Sequence, residues 1–397
     1  MTPAARIQAA IECLDQIIIA AEQGGAAADT LIQRYFAARR YAGSKDRRAV
    51  RDLIYDVIRS TGEVPPTGRA ALIGHARIHA PDLLASFGAG GHGPAALVHG
   101  EPAGKAGLAP LWLGPRLKRR FGADLAGADA LLSRARLDLR VNRLKASREE
   151  VMAQHPELVP TMRAPMGLSA PVGIDIEALA ASQAGALDVQ DEGSQLAALA
   201  LAAAPGERIV DLCAGAGGKT LALAADMDNQ GLLVACDIDR GRLTAMAPRL
   251  VRAGVTIADV REMNPRREME HLADIAGTMD AVLVDAPCSG SGTWRRNPES
   301  RWRLTPKRLE RLMEEQDRLL DIAASLLRPG GRLVFVTCSV LMEEGEDRIA
   351  AFHAHHPEFA PLPMCIPGDD APVTARVLLP GAEGCDGFFI ASARLTC

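Results

Sequence analysis

Two cysteines hold the positions from which a thiol could do chemistry. Cys288 closes the sequence Asp285-Ala-Pro-Cys, which follows the apolar run AVLVD, and Cys338 closes Thr337-Cys, which follows RLVFV. A thiolate is a strong nucleophile once its pKa falls from about 8.5, which takes a nearby cation or hydrogen-bond donor. Lys219, Arg295 and Arg296 are the candidate cations, and Asp285 is the candidate acid or hydrogen-bond partner. This set suits an electrophilic ring that carries no good nucleophile of its own. Carbon 5 of cytosine becomes nucleophilic only after a thiolate adds to carbon 6. Charge must then be held at ring nitrogen 3, and a base must remove the carbon 5 proton. The residues alone do not say which cysteine attacks.

Asp211-Leu-Cys-Ala-Gly-Ala-Gly-Gly-Lys-Thr220 reads as a strand end, a glycine-rich turn and a helix start. A phosphate-binding loop of the form G-x-x-x-x-G-K-[ST] would need glycine where Cys213 stands. A dinucleotide fingerprint G-x-G-x-x-G would need glycine at Thr220. An S-adenosylmethionine turn needs neither, because no phosphate is cradled. Asp237 then suits the ribose hydroxyls and Asp259 the adenine edge; ordinary capping aspartates are the plain alternative.

Five β-like segments position these groups: RIVDLC, LLVACD, VTIAD, AVLVDAP and RLVFVTC, each followed by a helical stretch. The alternation predicts a doubly wound, mostly parallel α/β sheet, with ligands outside the carboxyl ends of its strands. Asp211, Asp237, Asp259, Asp285 and Cys338 are each expected at such an end. Upstream, residues 1–62 read as helices, with Ile7, Ile11, Leu14 and Ile18 on one stripe and Val50, Leu53, Ile54, Val57 and Ile58 on another. Residues 63–110, rich in Gly, Pro and Ala, read as weak helices and loops. LDLRVNRLK, from Leu137 to Lys145, alternates like a strand.

The net charge of −4 points to no partner, but its distribution does. Residues 34–59 carry eight Lys/Arg against three Asp, and residues 116–148 carry ten. Each is either a solvated face or a surface for phosphates. In TWRRNPESRWR the arginines suit phosphates, and Trp294 and Trp302 suit stacking on unpaired bases. The eight cysteines form no C-x-x-C pair, which excludes a disulfide framework or zinc finger. His353, His355 and His356 read as a solvated helix end, and no metal is expected. No apolar run reaches the roughly 20 residues of a membrane span, and the amino terminus is a poor signal peptide, so no membrane partner and a cytoplasmic location are expected.

DLCAGAGGKT, the strand-end Asp237 and Asp259, DAPCSGSGTWRRNP and TCSVLMEEGED closely resemble the NOL/NOP/Sun family of RNA cytosine-5 methyltransferases, nearest its bacterial small-subunit ribosomal RNA branch. DVQDEGSQLAALAL and RVNRLK resemble its segments ahead of the cofactor strand, and the basic helical region resembles its NusB-like domain. The resemblance implies a NusB-like RNA-binding domain over 1–125, a small α+β pre-catalytic RNA-binding module over 126–195, and a Rossmann-like class I methyltransferase domain over 196–397. It implies that Cys338 attacks, that Cys288 assists release, and that Lys219 and Asp285 line the active site. S-adenosylmethionine would meet Cys213, Ala214, Gly215, Ala216, Gly217, Gly218, Lys219, Asp237, Arg242, Asp259 and Asp285. RNA would meet Arg140, Asn142, Arg143, Lys145, Arg295 and Arg296. A monomer acting on small-subunit ribosomal RNA is expected; the alternatives are transfer RNA or another RNA as substrate, or a ribosome-assembly factor without catalysis. Ala216 departs from the family's usual proline, which could loosen the turn.

Overall fold

The computed structural model describes residues 1–396; Cys397, one of the eight cysteines, lies outside them. The chain divides into two compact units: Met1–Arg134 with Thr293–Arg308, and Ala135–Gly292 with Leu309 onward.

The first unit is helical. Its elements are α1 (Pro3–Gln23), α2 (Ala28–Ala37), α3 (Ser44–Ser60), α4 (Gly68–His79) and α5 (Gly114–Phe121). Thr2 caps α1 by accepting from the Ala5 N–H, Pro3 sits in the first turn, and Gly24 ends the helix at φ 75°. The expected stripe of Ile7, Ile11, Leu14 and Ile18 is buried against Val50, Ile54, Val57 and Ile58 of α3. Gly68 lets α4 approach α1, because a Cβ there would stand 2.3 Å from the Ile11 carbonyl oxygen.

Thr293–Arg308 corrects one expectation. Trp294 and Trp302 are buried and cannot stack on RNA bases as they stand. Instead the segment binds backbone groups at and just beyond the helix ends. Glu299 accepts from the Ala28 N–H at the start of α2 (3.0 Å), where Ala27 offers no capping side chain. The Arg301 guanidinium donates to the carbonyls of Ile58, Arg59 and Thr61 at the end of α3, at 2.6, 3.2 and 2.9 Å. Trp302 Nε1 donates to the Thr61 carbonyl, and Arg303 to those of Gly25 and Ala26 beyond α1. An anion at a helix start and a cation at a helix end both complement the helix dipole.

The second unit holds two sheets. The smaller is antiparallel, in the order β2 (Val159–Pro160), β3 (Gly167–Ala170), β1 (Leu137–Val141), β4 (Leu187–Val189). The larger contains β5 (Arg208–Asp211), β6 (Leu232–Asp237), β7 (Ala258–Glu262), β8 (Met279–Asp285), β9 (Leu327–Thr337), β10 (Phe359–Pro361), β11 (Ala375–Leu378) and β12 (Phe388–Leu395). Its order is β10-β12-β9-β8-β5-β6-β7, with β11 also on β12. β5 to β9 pair in parallel, and β10, β11 and β12 are antiparallel. Helices cover both faces of the parallel strands, so both faces are apolar. Val210, Val234, Val282 and Phe335 enter one core, and their neighbours Ile209, Leu233, Leu283 and Val334 enter the other. The order reverses at β5, with β8 on one side and β6 on the other, and this switch point opens the ligand crevice.

Candidate active site

Asp211, Asp237 and Asp285 are the last residues of β5, β6 and β8, and Cys338 directly follows β9. Asp259 does not share that edge. β7 starts later than expected, Asp259 pairs with Val234 three residues short of Asp237, and its carboxylate accepts from Arg261 Nε (2.8 Å). Glu262 and Met263 occupy the edge instead, with the Met263 N–H on the Asp237 carbonyl. Asp259 therefore lies inside β7 rather than at its last residue, with its side chain partly exposed.

The glycine-rich turn joins β5 to the helix Gly218–Asp226. Gly215 and Gly217 adopt φ of 56° and 86°, which glycine alone adopts without strain. A Cβ on Gly217 would stand 2.6 Å from Met246 Cγ, whereas one on Gly215 would meet nothing within 4 Å. The turn is thus packed on one side and open on the other. Thr220 Oγ1 donates to Asp211 Oδ2 (2.7 Å), closing the strand end onto the helix start. Burial pushes the Asp211 carboxyl up to about 7. The Ala216 carbonyl accepts from Arg249, which also pairs with Asp188, so the turn is braced without a proline. The Asp237 carboxylate accepts from the Gly215 and Asp239 N–H groups, both at 2.8 Å, and so ties the turn to the β6 end. Cys213 is a neutral thiol, pushed well above its ordinary value by burial and then by Asp237 and Asp285. Arg242 is exposed one helical turn beyond Asp239, and Ile238 is an exposed apolar side chain beside Asp237.

Lys219, the second residue of that helix, is buried and reaches Asp285 Oδ2 at 2.6 Å. Burial favours its neutral form, but Asp285 and the field of Cys338 outweigh this and hold the ammonium above the ordinary lysine value. The two cysteines meet because β8 and β9 are adjacent and parallel. Asp285 stands opposite Val336, so the next residues of both chains leave the sheet together. Cys288 Sγ and Cys338 Sγ are 3.4 Å apart. The hydrogen bond to Cys338, and then burial, push the Cys288 thiol well above its ordinary value.

Residues that the sequence reading left without roles surround the pair. Glu344 is fully buried and accepts from Ser289 N–H (2.7 Å), Ser289 Oγ, Ser339 Oγ (2.6 Å) and Gln316 Nε2 (3.2 Å). TCSVLMEEGED and DAPCSG contain most of these groups, but nothing local says that they converge.

The expected RNA contacts divide. Arg140, Asn142 and Arg295 are buried. Arg140 donates to Gln190 (2.7 Å) and lines a cavity of about 280 Å³ with Arg143, Met166, Gln195 and Asp226. Asn142 donates to the Gly185 and Ala253 carbonyls, fastening the β1 end to the helix Arg240–Ala253. Arg143 and Lys145 are exposed, the former bridged to Asp226 and Asp228, and Arg296 is half-buried. No helix among the described residues is long and apolar enough to cross a membrane.

Residues 198–394 match the family model described as 16S rRNA methyltransferase RsmB/F. Ribosomal RNA small subunit methyltransferase B of Xylella fastidiosa is 36% identical over 297 residues, covering 71% of this chain and 67% of that protein. The Thermus thermophilus protein of the same name is 40% identical over 216 residues, 52% of this chain and 50% of its own length. The chain thus spans between half and two thirds of these relatives. The crystal structure of PH0851 superposes with a TM-score of 0.78 at 26% identity, covering 99% of both chains. A methyltransferase homolog from Pyrococcus horikoshii gives 0.60 at 28% identity, over 70% of this chain and 93% of its own.

Proposed function

The chain belongs to the RsmB/F family of 16S ribosomal RNA methyltransferases, and from that premise we propose that it methylates carbon 5 of a cytosine in small-subunit ribosomal RNA through a covalent bond to Cys338. S-adenosylmethionine supplies the electrophilic methyl group. The turn from Cys213 to Gly218 suits it, with backbone open at Gly215 and a carboxylate, Asp237, at the next strand end. Asp259 of β7, its side chain 43% exposed, is the residue for the adenine edge.

The single observation that carries the reading is the meeting of the two sulfurs, 3.4 Å apart beyond adjacent parallel strands, with buried Lys219 paired to Asp285 at the end of one of those strands. Cys338 Sγ forms the bond to carbon 6, the carbon 5–carbon 6 π pair shifts between carbons 4 and 5, and the carbon 4–nitrogen 3 π pair moves onto nitrogen 3, which takes a proton from the Lys219–Asp285 pair and returns it on elimination. Asp285, steadied by Lys219, holds the nitrogen 3 edge. Carbon 5 takes the methyl group and then loses its proton to a base. Re-formation of the carbon 5–carbon 6 double bond breaks the bond to Cys338, with Cys288 as the proton source for the departing sulfur. A base inside a helix cannot reach this site, so the target is unpaired or flipped out. Arg143, Lys145 and the exposed arginines and lysines of 34–51 are the surfaces offered to phosphates.

Cys288→Ala protein, incubated with 16S ribosomal RNA and S-adenosylmethionine, accumulates a protein–RNA adduct that survives a denaturing gel. Cys288→Ala/Cys338→Ala gives none. An adduct that persists without Cys338, or no adduct from a protein that methylates cytosine, overturns the assignment.

A further inference from the structure

We propose that Glu344 is a positioning residue that clamps the loops carrying the two cysteines and so sets the distance between their sulfurs. The inference deepens the function proposed above and rests on it for the catalytic part only. Cys288 and Cys338 lie 50 residues apart, on loops beyond the ends of two different strands, and no regular hydrogen-bond ladder reaches them. The Glu344 carboxylate replaces that ladder. Oε1 accepts from the Ser289 N–H, immediately after Cys288, and from Gln316 Nε2, which also donates to the Pro287 carbonyl (3.0 Å), immediately before it. Oε2 accepts from the hydroxyls of Ser289 and of Ser339, immediately after Cys338. The Glu344 carbonyl accepts from Thr337 Oγ1 (3.1 Å), the residue before Cys338. Glu344, with Gln316 as its relay to Pro287, thus holds the neighbours of each cysteine on both sides.

A second layer points the same way. Ser291 Oγ lies 2.9 Å from Ser339 Oγ and accepts from the Val340 N–H (2.9 Å), while the Gly292 N–H donates to the Cys338 carbonyl (3.0 Å). Burying a carboxylate is costly, and burial pushes the Glu344 carboxyl up against the pull of its four donors. A neutral apolar side chain would fill the volume but could not join two loops whose backbone and hydroxyl donors all point inward. Glu344 is hydrogen-bonded to neither sulfur; its charge pushes the Cys288 thiol up, and its hold on the loops runs through Ser289 and Ser339. Its effect falls on attack geometry, where about 1 Å of misplacement costs on the order of 100-fold in rate.

Full-length Glu344→Gln keeps the shape but turns one accepting oxygen into a donor facing other donors. Two readouts apply. The first needs no RNA. Diamide oxidises the pair, the two thiols giving up two electrons and two protons that reduce diamide to its hydrazine, and mass mapping follows the Cys288–Cys338 disulfide. The variant is expected to cross-link about tenfold more slowly than wild type. The second is methyl transfer to 16S ribosomal RNA, where kcat falls about 100-fold and KM stays within about twofold, a split that general destabilisation does not produce. Glu344→Asp restores part of both, and Ser339→Ala gives a milder form of the same defect if Glu344 variants fold poorly. Wild-type cross-linking and wild-type kcat in Glu344→Gln overturn the clamp. Altered cross-linking with no methylation by wild type sustains the clamp and sinks the proposed function alone.

Discussion

Lys219 and Arg301 are both buried cations, one in each unit, and their surroundings are opposite. Lys219 faces a carboxylate, Asp285, whose side chain is still 30% exposed, and it is held above its ordinary pKa despite burial. Arg301 donates to four carbonyls, those of Ile58, Arg59, Thr61 and Pro298, and burial pulls its pKa down to about 9. A cation kept beside a partly open carboxylate and within the field of a thiol is placed to act on charge as it develops. A cation spent on the last carbonyls of a helix is architecture. The same sequence signal, a basic residue next to a glycine-rich or aromatic stretch, serves both ends.

Three measurements sharpen or break this contrast. Lys219→Met should lower methyl transfer about 1000-fold while leaving the melting midpoint within a few degrees, because it removes charge from the site and little from the packing. Retained activity with a lowered midpoint would reverse the two roles. Arg301→Met should do the opposite. It leaves the α3 carbonyls unpaired at a cost of about 2–4 kcal/mol, seen as lost hydrogen-exchange protection at the end of α3 and as a lower midpoint. The smallest effect is expected at Asp211, the buried acid behind the glycine-rich turn. Its folded pKa of about 7 lies above the ordinary aspartate value of about 3.9, so its contribution to stability is fully present below that ordinary value and is lost as pH rises to about 7. Asp211→Asn escapes that loss. Its stability relative to wild type should rise between pH 4 and 7 and stay level above. A difference independent of pH would show that Asp211 is already ionised in the folded protein.

Much of the catalytic unit is legible locally. Short apolar runs ending in Asp or Cys, separated by helical stretches, give β5, β6, β8 and β9 within a few residues, and the glycines of 215 and 217 mark the turn. β7 is the exception. VTIAD is as apolar as its neighbours, but which of its residues pairs with Leu233 depends on the adjacent strand, and the observed register moves Asp259 off the edge. In the helical unit the stripes of α1 and α3 were readable at their 3.6-residue period. The fate of TWRRNPESRWR was not, because tryptophan and arginine suit a wet nucleic-acid face and a dry helix junction equally well.

What the sequence determined, then, is the inventory and its local setting: two thiols, a lysine and three strand-end aspartates at the carboxyl edge of a doubly wound sheet. Period and turn chemistry are properties of a few neighbouring residues, so they survive without tertiary context. Tertiary structure decided which polar groups are spent inside the protein and which remain for a substrate. Arg301 meets Ile58 across 243 positions, Ser289 meets Glu344 across 55, and the sulfurs meet across 50. Burial and hydrogen-bond satisfaction at such distances belong to the packing of the folded chain, which no local pattern encodes.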